Sequence, residues 1–206
     1  MFDGLRFVHR PHLDDAGLDC DSCHDPDRHG ERVVTVAVCM ECHEPGDDIA
    51  CATCHVSQKD MFTGLSDGDI EESPSWMVDL TCDECHGEPH ESADRASVLE
   101  TCVDCHEDGY DEMVDEWQAD TESRLAAING RLSDFRTHKR RAVAAQIPVS
   151  ALEQAERLVG AATAFIDRVR SDRSRGVHNI EFTELLLADA DDRLQQAISL
   201  LADRMP

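Results

Sequence analysis

The sequence predicts a mainly α protein with two unlike parts: little regular structure in the cysteine-bearing N-terminal half, then a C-terminal antiparallel helical bundle. Three observations predict it. Beyond about residue 108, apolar residues recur at three- and four-residue steps, the period of a helix with one buried face. Before that point long apolar runs are missing, and Gly and Pro break the chain repeatedly. All ten cysteines lie in that first part, in five repeats of Cys-x-x-Cys-His.

The five pentads are Cys20/Cys23/His24, Cys39/Cys42/His43, Cys51/Cys54/His55, Cys82/Cys85/His86 and Cys102/Cys105/His106. This spacing reads as covalent attachment of c-type haem, two thiols saturating the vinyl groups and the adjacent imidazole becoming the proximal iron ligand. A zinc site or a redox dithiol is the competing reading of any one Cys-x-x-Cys pair. Structural zinc uses such pairs in twos, so five pairs leave one unmatched, and a redox dithiol needs one pair on a βαβ scaffold. Five haem c groups are therefore expected, with no cysteine left for disulfides.

The chain holds only nine aromatic residues, and residues 1–119 make a poor protein-only core. Five tethered porphyrins are apolar plates and are expected to form much of that core, leaving this half unfolded without them. The pentads fall in two clusters, residues 20–55 and 82–106. His43 and Cys51 stand eight positions apart, so even a stretched chain separates them by only about 28 Å. Neighbouring haems are thus expected close together. Between the clusters, residues 60–75 read as a polar loop or short helix with turn chemistry. The apolar run Val33, Val34, Thr35, Val36 is the longest strand-like pattern.

The first bundle helix carries Tyr110, Met113, Val114, Trp117, Thr121, Leu125, Ile128, Leu132 and Phe135 on one stripe. Asn129-Gly130 is a point of weakness or bending, and Pro148 ends the segment. Ser150 and Glu153 give a capping-box signal for a second helix with Leu152, Ala155, Leu158, Val159, Ala162, Phe165, Ile166 and Val169. Gly176 reads as a helix stop. A third helix begins near Asn179 with Phe182, Leu185, Leu186, Leu194, Ala197, Ile198 and Leu201. These stripes read as core packing and nothing more.

Charge is lopsided. Residues 1–119 hold 31 acids and 6 bases, whereas residues 120–206 hold 13 of each. Haem propionates add further negative charge to the first part. Nucleic acid is therefore disfavoured as a partner, and a basic redox partner or cation-rich surface is favoured. Salt adaptation is the competing reading, because two lysines stand beside 27 aspartates. Against it, the tail does not share the surplus.

The pentads use five of eleven histidines, leaving His9, His12, His29, His90, His138 and His178. Five irons with imidazole on both faces need five more. The stretch Phe7, His9, His12, followed by Cys20-Cys23-His24, resembles the start of the class III multihaem cytochromes c. The resemblance implies that His9 caps the first haem, His12 the third and His29 the second. The GVHN segment around His178, leading into a long helix, is similar to the distal-ligand motif near the end of pentahaem nitrite-reductase-like cytochromes, which implies His178 on the fourth haem. His90, in CHGEPH, resembles a ligand reaching a neighbouring haem and is assigned to the fifth. His138 shares a face with Phe135 and competes with His178 for the same iron. The resemblance covers roughly residues 5–110 plus the GVHN segment. It departs from the reductases, whose active-site haem often has lysine in place of the pentad histidine; here all five pentads are ordinary and the chain is far shorter.

Residues 1–108 are expected to be a pentahaem c-type cytochrome domain and residues 109–206 a helical bundle supplying a distal ligand. Six-coordinate bis-imidazole iron has no open position for substrate, and its potential lies below that of methionine/histidine ligation. Surrounding carboxylates favour the ferric state and lower it further. The expected function is low-potential electron transfer to or from a redox partner, free or within a membrane-associated respiratory complex, with no catalytic residue and no small-molecule substrate required. A unit of an extracellular cytochrome filament, and a small reductase of a nitrogen or sulfur oxyanion, are the alternatives. No segment approaches the roughly 18 apolar residues of a membrane span. The start MFDGLRFVHRPH lacks a basic region followed by an apolar one. Because haem attachment of this type resembles systems working outside the cytoplasmic membrane, a periplasmic or other extracytoplasmic location is expected. A leader or anchor would then lie outside this sequence, or the start would be an internal methionine.

Overall fold

The structure, a computed structural model, describes residues 8–28, 31–35, 38–39, 42–43, 51–52, 55–65, 70–87 and 94–205. A π-helical turn, Pro11–Asp15, and a 3-10 turn, Cys20–Ser22, come first. The α-helices are α1 (Val56–Thr63), α2 (Cys82–His86), α3 (Arg95–Cys105), α4 (Tyr110–Ala144), α5 (Val149–Asp172) and α6 (Ile180–Ala202). No strand occurs among the described residues, Val33–Thr35 included; the recorded pairing is an isolated bridge between His24 and Arg32. The chain is mainly α, as predicted. It divides into two compact units, one of Met1–Val56 with Thr81–Val98, the other of Ser57–Leu80 with Leu99–Pro206.

The second unit is built on α4, α5 and α6. Buried residues on α4 recur every seven positions: Val114, Thr121, Ile128, Phe135 and Ala142. That is the seam a helix presents to a partner lying nearly along it. Helix α6 packs against both α4 and α5, which meet each other only sparingly. Arg124 pairs with Glu184 at 3.2 Å, and Arg131 pairs with Asp191, so α4 and α6 run in the same direction. Lys139 meets Glu156 at 2.5 Å and Arg170 donates to Asn129 at 2.8 Å, so α5 runs the opposite way. The topology is up–down–up. Its core joins Ile128, Ala162, Ile166, Phe182, Leu186, Leu187 and Leu194.

Several details depart from the sequence reading. Met113 and Leu185, expected on the apolar stripes, are exposed at 36% and 43%, and Leu187 and Ala190 take the core positions on α6 instead. Helix α5 starts at Val149 with Pro148 at its N-cap and no side-chain cap, so Ser150 lies inside the first turn. The capping box forms at Thr81 instead, where the Thr81 N–H donates to Glu84 Oε2 at 2.6 Å. Asn129-Gly130 does not interrupt α4, because Asn129 accepts the Arg170 bond from α5. Helix α5 stops at Arg173, in left-handed backbone with φ 63°. Gly176 serves a different purpose: with φ 99°, an added Cβ would sit 2.8 Å from Thr121 Oγ1. Glycine is what lets the α5–α6 loop lie against α4.

Residues 60–75, read as a polar loop or short helix, begin inside helix α1, and the described residues 57–65 and 70–80 make bonds to the bundle. Met61 of α1 is fully buried in the bundle core. Asn179 caps α6 by accepting from the Phe182 N–H at 3.0 Å and donates to Met61 O at 3.1 Å and Ser73 O at 2.6 Å. Gln58 Nε2 donates to the Ser171 and Asp172 carbonyls at 3.2 and 3.0 Å, satisfying the exposed end of α5. Arg168 donates to Asp60 O at 3.4 Å and to Leu65 O, and lies over the Phe182 ring at 4.8 Å. Gly64 makes the turn that brings Ser73 back; a Cβ there would fall 1.8 Å from Ser73 O.

The first unit is of another kind. None of its described residues is buried. Its polypeptide alone supplies no apolar interior among those residues, and bulky prosthetic groups are the material that fits such a chain.

Candidate haem sites

Four of the pentads share one backbone bond, the i to i−4 bond of a helical turn. The histidine N–H donates to the carbonyl of the first cysteine four residues back: His24 to Cys20 at 2.9 Å, His43 to Cys39 at 3.0 Å, His55 to Cys51 at 2.8 Å and His106 to Cys102 at 2.9 Å. The fourth pentad is itself helix α2, which begins at Cys82 and ends at His86 with Cys85 in its last turn. Cys82 and Cys85 are half-buried there and carry no disulfide. Positions i, i+3 and i+4 of a helical turn lie on one face, the geometry by which two sulfurs and an imidazole would reach one haem. That is the donor arrangement a covalently attached haem needs. No disulfide links the described cysteines, and no three of His, Cys, Asp and Glu among the described residues converge as a zinc site requires. At the fifth pentad burial pushes the Cys102 thiol above its ordinary value, with the Asp111 carboxylate and Cys105 acting in the same sense.

Two of the spare histidines face pentad histidines. The His9 and His24 rings lie 6.2 Å apart, centre to centre, with planes 13° from parallel. His12 and His43 lie 6.1 Å apart with planes at 53°. A metal held between two imidazole nitrogens at about 2.0–2.1 Å, the length imidazole makes to zinc, sets ring centres roughly 6 Å apart. The ring-centre spacings of both pairs match that value. His12 Nδ1 is hydrogen-bonded to Val8 O at 3.0 Å, a bond that assigns the proton to Nδ1 and the lone pair to Nε2. The resemblance to class III cytochromes pairs His12 with the third haem, whereas here its neighbour belongs to the second pentad.

His178 sits in the loop between α5 and α6, its side chain 23% exposed. Its Nδ1 meets Asp172 Oδ1 at 2.6 Å, and its backbone N–H donates to Ser174 Oγ at 3.2 Å. Ser174 Oγ in turn donates to Asp172 Oδ2. His138 lies on α4 with Nδ1 bonded to Asp134 O at 3.0 Å, beside an open cleft lined by Arg136, Lys139, Arg140 and Val143. Cys54, His29 and His90 lie outside the described residues.

Sequence reasoning missed three partners of these histidines. Tyr110 stacks on His106 with ring centres 4.1 Å apart and planes 9° from parallel. Their four-residue spacing is a usable signal, hidden when Tyr110 is read only as part of a core stripe. Asp172 and Ser174 give no such signal, since their contact with His178 depends on the left-handed turns at Arg173 and Arg175.

No family model matches the chain. It is similar to the multihaem cytochrome MtrA of Shewanella baltica (strain OS185), at 26% identity over 44% of this chain and 43% of that protein. The pentads and this similarity support a multihaem c-type cytochrome. The undecahaem cytochrome from the S-layer of Carboxydothermus ferrireducens aligns with 87% of this chain and 32% of its own length, at 23% identity and a TM-score of 0.47. The chain spans less than half the length of either protein. None of its described helices is long and apolar enough to cross a membrane.

Proposed function

We propose that this chain is a low-potential multihaem electron-transfer cytochrome carrying five covalently bound haems, exchanging electrons with a redox protein outside the cytoplasmic membrane. The observation that carries the reading is the pair of imidazole couples, His9/His24 and His12/His43, each spaced for one iron between them. The bound haem would supply a one-electron couple. Five cysteine pairs would tether the haems: Cys20 with Cys23, Cys39 with Cys42, Cys51 with Cys54, Cys82 with Cys85 and Cys102 with Cys105. His24, His43, His55, His86 and His106 would give the proximal bonds. His9 would close the far side of the first iron and His12 that of the second. His29, His90 and His178 are the remaining distal candidates for the other three.

With imidazole on both faces, the chain's own residues leave no position for substrate. They hold ligand geometry fixed while charge changes, which favours electron exchange over bond-making chemistry. Carboxylates dominate residues 1–119, 31 against 6 bases, and favour the more positive oxidised state. The same surface would draw a cationic partner and orient it towards the haem-bearing part. The domain reading follows: residues 1–108 carry the haems and residues 109–206 form the bundle that offers His178.

Electron paramagnetic resonance of the oxidised holoprotein tests this. Five low-spin ferric centres, one per pentad, are the expected result. A stoichiometric high-spin centre that binds nitrite or sulfite would replace the carrier reading with a reductase.

A further inference from the structure

We propose that Asp172 is a positioning residue for a haem ligand: its carboxylate holds the His178 ring and lowers the reduction potential of the iron that ring serves, with Ser174 moderating the effect. The inference rests on the reading of His178 as a distal ligand.

Asp172 is 2% exposed although it ends a helix, and its two carboxylate oxygens are divided between two purposes. Oδ1 takes the His178 Nδ1 bond at 2.6 Å. Oδ2 takes the Ser174 hydroxyl and, at 3.3 Å, the Ser174 N–H. The Asp172 carbonyl receives Gln58 Nε2 at 3.0 Å, so the residue is fixed by backbone as well as side chain. Ser174 Oγ accepts the His178 N–H at 3.2 Å, which closes a ring of bonds around the loop. Arg173 and Arg175 hold left-handed backbone at φ 63° and 59° to allow it, and Gly176 presses the loop against Thr121.

This arrangement has a chemical consequence beyond ending a helix. With Nδ1–H donating to a carboxylate, the lone pair sits on Nε2, the atom a metal takes. Partial withdrawal of that proton makes the imidazole a stronger donor, and a stronger donor stabilises ferric over ferrous iron. The Ser174 hydroxyl draws density from the same carboxylate and weakens the pull. Removing the carboxylate charge and removing the hydroxyl should therefore shift one potential in opposite directions. A loop that only closes the bundle gives no such pair of signs.

The test uses the haem-loaded full chain, with redox titration followed optically and paramagnetic resonance of the ferric state. Asp172→Asn should raise the reduced-to-oxidised ratio of one haem about tenfold at fixed applied potential, equivalent to about 59 mV for one electron, and leave the others unmoved. Ser174→Ala should move the same haem the other way. His178→Ala should convert one low-spin centre to high-spin, reversed by added imidazole. If His178→Ala leaves every centre low-spin, the ligand reading fails and this inference with it. If that variant behaves as expected but Asp172→Asn and Ser174→Ala shift no potential, or shift it in the same direction, the positioning role alone is overturned.

Discussion

Asn179 offers the sharpest test of how the bundle holds the segment between the two clusters of Cys-x-x-Cys-His pentads. Its side chain is 5% exposed and makes three bonds: it accepts from the Phe182 N–H at 3.0 Å and donates to Met61 O at 3.1 Å and Ser73 O at 2.6 Å. Replacing it by alanine removes a helix N-cap, about 0.5–2 kcal/mol, and two buried bonds of about 0.5–1.5 kcal/mol each. The loss expected for Asn179→Ala is about 1.5–5 kcal/mol. Asn179→Ser keeps an acceptor for Phe182 but is too short to reach the other two carbonyls, so it should lose only the second part, about 1–3 kcal/mol. Urea denaturation of the haem-loaded protein, followed by far-ultraviolet circular dichroism, gives both numbers. Hydrogen exchange should show amides of α1 losing protection in both variants while the centres of α4 and α6 keep theirs. Wild-type stability and unchanged α1 protection in Asn179→Ser would refute the clamp.

Leu194 of α6, fully buried in the bundle core, should cost about 2–5 kcal/mol on truncation to alanine, while Leu185→Ala, at an exposed site, should stay within about 0.5 kcal/mol; the same denaturation measurement compares them. His12→Ala should create one high-spin ferric centre, and that centre should disappear when Cys39 and Cys42 are also replaced, because the second haem is then absent. A high-spin signal that survives this would return His12 to the third haem. Electron exchange with a cationic protein should slow by at least several-fold between low and roughly 0.5 M salt, as screening shortens the reach of the acidic surface, whereas exchange with a neutral mediator should not.

The bundle is legible because its signal is local and periodic. Val114, Thr121, Ile128 and Phe135 announce one face of α4 without knowledge of any other helix. Asn179 likewise announces a helix start. What escapes are features decided by partners distant in sequence. Met61 looks like one apolar residue in a polar loop, but Asn179 and Arg168 bind the backbone around it from more than a hundred positions away, and Gln58 beside it reaches the Asp172 carbonyl. Leu185 looks like core because leucines surround it, yet the face that α6 turns inward passes through Leu186, Leu187 and Ala190.

The candidate site divides in the same manner. The Cys-x-x-Cys-His turns are local, and their helical backbone bonds follow from spacing alone. The turn that carries Cys82, Cys85 and His86 even brings its own capping box, readable as Thr81 and Glu84 three residues apart. The partners of the spare histidines are not local. Spacing gives no means of choosing between the second and third pentads for His12, and the left-handed residues that bring Asp172 to His178 leave no mark in composition.

The most direct measurement of the central claim is the prosthetic-group content of the intact chain, purified from a host that attaches c-type haem. Intact mass together with alkaline pyridine haemochrome absorbance should give five haems per polypeptide, bound through thioethers, with zinc far below one per chain. Protein lacking porphyrin absorbance, or holding stoichiometric zinc on its cysteine pairs, would contradict the account at its root.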